Sequence, residues 1–132
     1  MVKKITAVLF VKEIEPVVPF WVGKLGFTKI IEVPEGNKLA FLALQSGSAE
    51  IMYQTYASAE KDLPSIARDV RKGPTFLYIE VENLDALKPA LKSADIYLPE
   101  RNTFYGAREI GVRDPAGHFL TFAQMSAESG HA

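Results

Sequence analysis

The sequence predicts an α+β fold in which two β-α-β-β-β units follow one another along the chain. The hydrophobic pattern passes from strand to helix and then to three strands, and it does so twice. The two halves align without a gap at a fixed offset, and turn sequences containing glycine separate the strands at matching positions. A chain of 132 residues is long enough for one domain and too short for two independent globular ones.

The first unit starts with a strand and continues into a helix that proline disturbs. The run "KKITAVLFV" is rich in β-branched and apolar residues, which favours a strand buried on both faces. Apolar residues then recur at helical spacing from Ile14 to Leu25, Pro16 suits a first helical turn, and Gly26 suits the end. Pro19 should distort the early turns or delay the regular helix. Three strands follow, "FTKIIEV", "KLAFLALQ" and "AEIMYQTY", with turns at 34–37 and 46–48.

The second unit repeats this order after a polar connector, residues 57–73, which has helical potential but contains Pro64. We predict a strand at "PTFLYIEV", a helix capped by Asn83, a short strand at "DIYLPE", and a hairpin formed by "AREIGVRD" and "HFLTFAQM". The hairpin turns between Asp114 and Gly117. Proline presets φ there, the aspartate side chain can bond the backbone two residues on, and glycine accepts positive φ.

An offset of seventy residues between the halves indicates an internal duplication, because strand-to-helix transitions and hairpin glycines then coincide. The matched pairs are Val11 with Val81, Ile14 with Leu84, Glu15 with Asp85, Val17 with Leu87, Pro19 with Pro89 and Gly47 with Gly117. We predict a single domain over residues 1–132. Module one covers about 4–56, module two covers about 74–125, and a flexible tail covers 126–132.

Composition excludes several functions. A net charge of -1 gives no electrostatic reason to bind nucleic acid or an anionic membrane. The absence of cysteine excludes disulfides, thiolate metal sites and cysteine nucleophiles. No apolar run approaches the roughly 20 residues of a membrane span, and the N-terminus lacks the features of a signal peptide. We therefore expect a cytoplasmic protein that binds neither nucleic acid nor membranes.

Two segments carry a resemblance to a known family. "LFVKEIEPVVPFWVGKLGF" is similar to the first strand and helix of the vicinal oxygen chelate superfamily, and "REIGVRDPAGHFLTF" is similar to its closing hairpin. That superfamily includes glyoxalase I, extradiol dioxygenases, fosfomycin resistance proteins and bleomycin resistance proteins. The resemblance covers residues 4 to about 125. It implies paired βαβββ modules that form an eight-stranded curled mixed sheet around a central cavity, with the helices outside.

The resemblance also implies where a catalytic metal would bind. In the enzymes, each module supplies one ligand from its first strand and one from its last, and the ligands are His, Gln or Glu. Those positions correspond here to Thr6, Glu50, Phe76 and Thr121. Only Glu50 could bind a metal, which falls short of the three or four donors that a catalytic ion needs. We expect no metal and no other cofactor, although a divalent metal remains possible.

Neither histidine restores the metal site by sequence. His118 lies three residues before Thr121, so strand alternation places it on the opposite face, and we expect it to be exposed. His131 lies in the polar tail, where we expect disorder.

Strand alternation predicts which side chains line the cavity. The predicted set combines aromatic and polar groups, which suits a small-molecule pocket. It comprises Thr6, Val8, Phe10, Glu50, Met52, Gln54, Phe76, Tyr78, Glu80, Phe119 and Thr121. The segment "ERNTFYGARE", with Arg101, Tyr105, Arg108 and Glu109, is predicted to be a mobile lip of the pocket or, alternatively, a solvated loop.

These residues leave alternatives open. The aromatic rings could instead fill the trough as a second small core. Glu50 could be a relic bonded to Thr6 or Thr121, or its pKa could be raised by desolvation so that it acts as a general base. By resemblance to bleomycin resistance proteins, we expect a metal-free binder of a small, partly aromatic molecule that forms a homodimer. The competing hypothesis is a lyase, isomerase or dioxygenase-type enzyme with a non-standard metal site or with Glu50 as base.

Overall fold

A computed structural model describes residues 1–126, and contacts divide the chain into two compact units, one ending at Gly73 and the other beginning at Pro74. Each unit contains one four-stranded mixed sheet. The prediction of an α+β fold with two successive modules is confirmed. The prediction for His131 lies outside the described residues. Within residues 1–126, no helix is long and apolar enough to cross a membrane.

The first unit contains strands β1 (Ala7–Val11), β2 (Thr28–Glu35), β3 (Lys38–Ser46) and β4 (Ala49–Thr55). Their order in the sheet is β1-β4-β3-β2, with β1 parallel to β4 and the other neighbours antiparallel. Strand β2 continues through Pro34 and Glu35, where a turn was predicted, and Gly36 at a φ of 65° makes the reversal.

The segment between β1 and β2 is helical but contains no regular α-helix. It forms a 3-10 turn at Glu15–Val17 and a π-helix at Pro19–Lys24. The predicted distortion at Pro19 is confirmed, and its physical basis is the missing proline N–H, which removes a helical hydrogen bond. The π-helix buries Trp21, whose Nε1 donates to the Tyr53 hydroxyl at 2.8 Å.

The predicted connector contains structure of its own. Helix α1 (Tyr56–Asp62) starts at Tyr56, the last residue of the predicted strand, and the Thr55 side chain caps it by accepting the Ser58 N–H at 3.1 Å. A 3-10 turn follows at Asp69–Arg71. All of these residues belong to the first unit.

The second unit contains β5 (Phe76–Glu80), α2 (Leu84–Leu91), β6 (Asp95–Asn102), β7 (Ala107–Arg113) and β8 (Phe119–Met125). The strand order is β5-β8-β7-β6, with β5 parallel to β8, which repeats the topology of the first sheet. The predicted cap of α2 is confirmed, because Asn83 Oδ1 accepts the Ala86 N–H at 3.1 Å.

The hairpin between β7 and β8 forms as its turn chemistry predicts. Asp114 Oδ1 accepts the N–H of Ala116 at 3.0 Å and the N–H of His118 at 2.8 Å. The expectation that His118 is exposed is wrong, since only 5% of its surface is accessible. Its Nδ1 accepts the Thr75 N–H at 2.7 Å, which ties the turn to the start of β5.

Candidate functional site

The second sheet has one face that contacts α2 and one face that points away from it. Arg108 and Gln124 pair across β7 and β8 and both reach α2. The alternate residues therefore point to the other side, which we call the Glu109 face. Its members are Phe76, Tyr78, Tyr97, Arg101, Tyr105, Glu109, Gly111, Arg113, Phe119 and Thr121.

Glu109 is the centre of a polar cluster on this face. Its solvent exposure is 0%, although it carries a carboxylate. The hydroxyl of Tyr78 donates to its Oε2, and the hydroxyl of Tyr105 donates to the same oxygen at 2.5 Å. Arg101 donates from Nε to Oε1 at 3.0 Å, and its Nη2 forms an ion pair with the same oxygen at 3.0 Å. Three hydrogen-bond donors, one each from β5, from β6 and from the loop before β7, thus converge on one side chain.

These contacts fix the protonation states of the cluster. Burial acts to raise the pKa of Glu109, but the hydrogen bonds from Tyr105, Tyr78 and Arg101 outweigh it and hold that pKa below its usual value. Burial, followed by the hydrogen bond to Glu109, raises the pKa of Tyr78. The glutamate is therefore an ionised acceptor and the tyrosine is a neutral donor at neutral pH. A carboxylate in this state is a poor general base.

Beside the polar cluster, the Glu109 face carries two packed aromatic rings, those of Tyr97 and Phe119. The hydroxyl of Tyr97 bonds to Thr121 Oγ1, and the Tyr97 ring lies edge-to-face with Phe119 at 5.3 Å between centroids. Arg113 lies over the Phe119 ring at 5.4 Å. A Cβ added to Gly111 would be 2.6 Å from the Tyr97 ring, so glycine is what lets this ring pack directly against the strand.

In the first sheet, strands β1 and β4 have fewer exposed side chains than strand β5 has in the second sheet. Glu50 has a side chain that is only 7% exposed, and it accepts a hydrogen bond from Lys4 Nζ at 2.7 Å. Gln54 is buried and donates to Ser58 Oγ at 3.1 Å. Thr6 lies just before β1, while Val8 and Phe10 lie within it opposite Met52 and Gln54.

The residues at the four positions that the resemblance assigns to metal ligands do not fit a chelate. In the first unit, Glu50 is occupied by a lysine ammonium. In the second, Phe76 offers no donor atom, and the Thr121 hydroxyl is bonded to Tyr97. Among residues 1–126, no group of three His, Cys, Asp or Glu side chains comes together as a metal site would require.

Two lip residues are placed differently from their prediction. Arg108 does not lie on the Glu109 face, because its guanidinium pairs with Asp85 of α2 at 3.0 Å and with Glu100 at 3.2 Å. Glu109 is not a solvated loop residue but the buried centre of the cluster. Strand alternation in "AREIGVRD" was the available signal, since it separates the two residues onto opposite faces.

Comparison with known proteins assigns the family. The family model "Glyoxalase/Bleomycin resistance protein/Dioxygenase superfamily" matches residues 4–122. The chain belongs to this superfamily. No curated protein sequence matches the chain.

Solved structures with this fold share little sequence with the chain. A glyoxalase/bleomycin resistance protein/dioxygenase from Nocardioides is 18% identical, with a TM-score of 0.73 over 100% of this chain and 91% of that one. TioX from Micromonospora sp. ML1 is 18% identical, with a TM-score of 0.71 over 94% and 99%. Lactoylglutathione lyase from Agrobacterium tumefaciens is 13% identical, with a TM-score of 0.74 over 92% of each chain. At these identities the likeness shows the fold.

The Tyr97 ring and Gly111 give a direct test of the packing on the Glu109 face. We expect Gly111→Ala to displace the ring and to lower the free energy of unfolding by about 1–3 kcal/mol, measured by denaturant melts. Gly73→Ala is the matched control, because a Cβ there meets open space. Adding Tyr97→Ser to Gly111→Ala should relieve the clash, so additive losses in the double variant would contradict this packing.

The lowered pKa of Glu109 predicts a specific pH dependence. Its contribution to stability is complete above the ordinary glutamate pKa of about 4.3 and is lost as pH falls through its lower pKa in the folded protein. Wild type should therefore exceed Glu109→Gln in stability at pH 7 by about 1–3 kcal/mol, and the gap should narrow below about pH 4. Urea melts from pH 3 to pH 7 measure it. A gap that stays constant or widens on acidification would contradict the prediction.

Proposed function

We propose that the protein is a metal-free binder of a small, partly aromatic molecule, which lies on the Glu109 face. The observation that carries the proposal is the exposure of aromatic rings on strand β5. Phe76 is 57% exposed and Tyr78 is 45% exposed, and both belong to β5, the first strand of the second module and an edge strand of its sheet. Exposed rings next to a few fixed polar groups are typical of small-molecule sites.

The exposure argues against the alternative that these rings form a second core. A core ring is shielded on all sides, whereas Phe76 keeps more than half of its surface accessible. Tyr78 is held by its hydroxyl on Glu109, which fixes the ring without burying it. A ring that is ordered before the ligand arrives loses less entropy on binding, and this favours affinity.

The competing proposal is an enzyme of the same superfamily that uses a non-standard metal site or Glu50 as a base. The burial of the Glu50 carboxylate supports this proposal, since burial favours a basic carboxylate. Its ion pair with Lys4 opposes it. Proton abstraction would first require that ion pair to open. The ion pair therefore favours the binding function.

The proposed homodimer also has a structural basis. Strand β2 is a sheet edge, and all of its residues are exposed, including Ile30, Ile31 and Val33. Exposed apolar residues on an edge strand favour association with another surface. Light scattering of the purified protein tests the dimer.

Replacing Phe76 tests whether its ring contacts a ligand or packs as part of a core. We expect Phe76→Ala to weaken binding of an aromatic probe such as 2-naphthol while costing less stability than the roughly 3–5 kcal/mol of a core Phe→Ala change. Ile96→Ala is the matched control, since Ile96 is exposed on the same sheet but pairs with Val112 on the α2 side. Fluorescence titration measures binding, and thermal melts measure stability.

Either of two results would contradict the proposal that Phe76 contacts the ligand. A stability loss as large as that of a core ring, with no probe binding to wild type, would make Phe76 a packing residue. Equal weakening by Phe76→Ala and Ile96→Ala would place the probe elsewhere.

Metal content gives an independent test. Protein incubated with zinc, nickel, manganese and iron and then dialysed should retain far less than one equivalent of metal, and Glu50→Gln should leave this amount unchanged. Stoichiometric metal that disappears with Glu50→Gln would identify Glu50 as a ligand and would favour the enzyme.

A further inference from the structure

Arg101 has one occupied edge and one free edge. Its Nε and Nη2 face Glu109, which is the side-on edge of the guanidinium. The end-on edge, formed by Nη1 and the second hydrogen of Nη2, makes no ion pair that is seen among residues 1–126, and we call it the free edge in this sense. Tyr105 also interacts with the guanidinium, and the side chain is 53% exposed. A guanidinium edge offers two parallel N–H donors, whose spacing matches the two oxygens of a carboxylate.

Glu109 cannot itself be the ligand contact. It is fully buried, and both of its oxygens already accept hydrogen bonds from Tyr78, Tyr105 and Arg101. Its effect on a ligand is therefore indirect: it holds the Tyr78 ring and the Arg101 guanidinium at fixed positions around one carboxylate. We regard it as a positioning residue.

The groups that remain accessible define a ligand with two parts. Phe76 and Tyr78 offer ring surface, which suits a planar aromatic system. Arg101 offers a paired donor edge close to Tyr78, because both side chains contact the same glutamate. Tyr105, which bonds the same Oε2 as Tyr78, adds a second ring at this end.

We propose that the Glu109 face selects planar aromatic carboxylates, with the ring on Phe76 and Tyr78 and the carboxylate on the free edge of Arg101. This inference rests on the proposed binding function and narrows its ligand class. Two features favour an anion over a cation here. The buried carboxylate is shielded by its donors, and the accessible charged edge of the cluster is the guanidinium.

The experiment compares two probes of the same shape, 2-naphthoate and naphthalene-2-methanol, by ¹⁵N–¹H NMR titration. We expect 2-naphthoate to bind about tenfold or more tightly, since it alone gains charge-assisted hydrogen bonds from Arg101. The shifts should fall on residues of β5 and on the loop before β7.

Arg101→Lys is the decisive variant. Lysine can keep the ion pair with Glu109 and so preserve the fold, but it has no second donor edge to offer. We expect the affinity for 2-naphthoate to fall to about that for naphthalene-2-methanol, while the affinity for the alcohol changes little. Arg108→Lys is the matched control, because that arginine lies on the α2 side and should leave both affinities unchanged.

The outcomes separate this inference from the proposed function. If both probes bind on β5 with equal affinity, or if Arg101→Lys weakens both equally, the carboxylate selectivity is wrong and the aromatic binding function stands. If neither probe shifts residues of the Glu109 face, the binding function itself is overturned.

Discussion

The burial of Glu109 is the constraint on which the geometry of the second sheet depends. An ionised carboxylate without water is costly unless donors surround it, and removing any of them exposes that cost. The donors come from Tyr78 on β5, Arg101 on β6 and Tyr105 in the loop before β7. Strand register, loop conformation and side-chain position are thus linked through one charge, which explains how large side chains stay ordered on an exposed face.

Neighbouring residues of β7 carry charge networks of different kinds. Arg108 joins Asp85 and Glu100 on the α2 side, where the carboxylates are well exposed and water screens the interaction. Glu109, one residue later, points to the other face of the sheet, where its carboxylate is shielded from water. The Arg108 network lies at the surface and therefore contributes little to the free energy of unfolding. The Glu109 network holds the side chains of Tyr78, Arg101 and Tyr105 in place around the candidate site.

Local features were predictable from the sequence, whereas the site depended on contacts between distant segments. Asn83 as a cap, Asp114 in its turn and the disturbance at Pro19 each involve only a few consecutive residues. His118 was misplaced because its partner is the Thr75 N–H, which lies 43 residues earlier. Alternation placed Tyr78 and Thr121 on one face. It could not bring Tyr97 there, because irregular pairing around Leu98 in β6 breaks the simple two-residue repeat.

The residues that the family resemblance aligns with metal ligands make other contacts in both modules. In the first module Glu50 keeps a carboxylate, but Lys4 neutralises it. In the second, the Thr121 hydroxyl is used by Tyr97, and that ring rests on Gly111. A glutamate at position 121 would have to displace a packed ring before it could reach a metal. Building a chelate at these positions would therefore require repacking of the neighbouring side chains as well as new ligands.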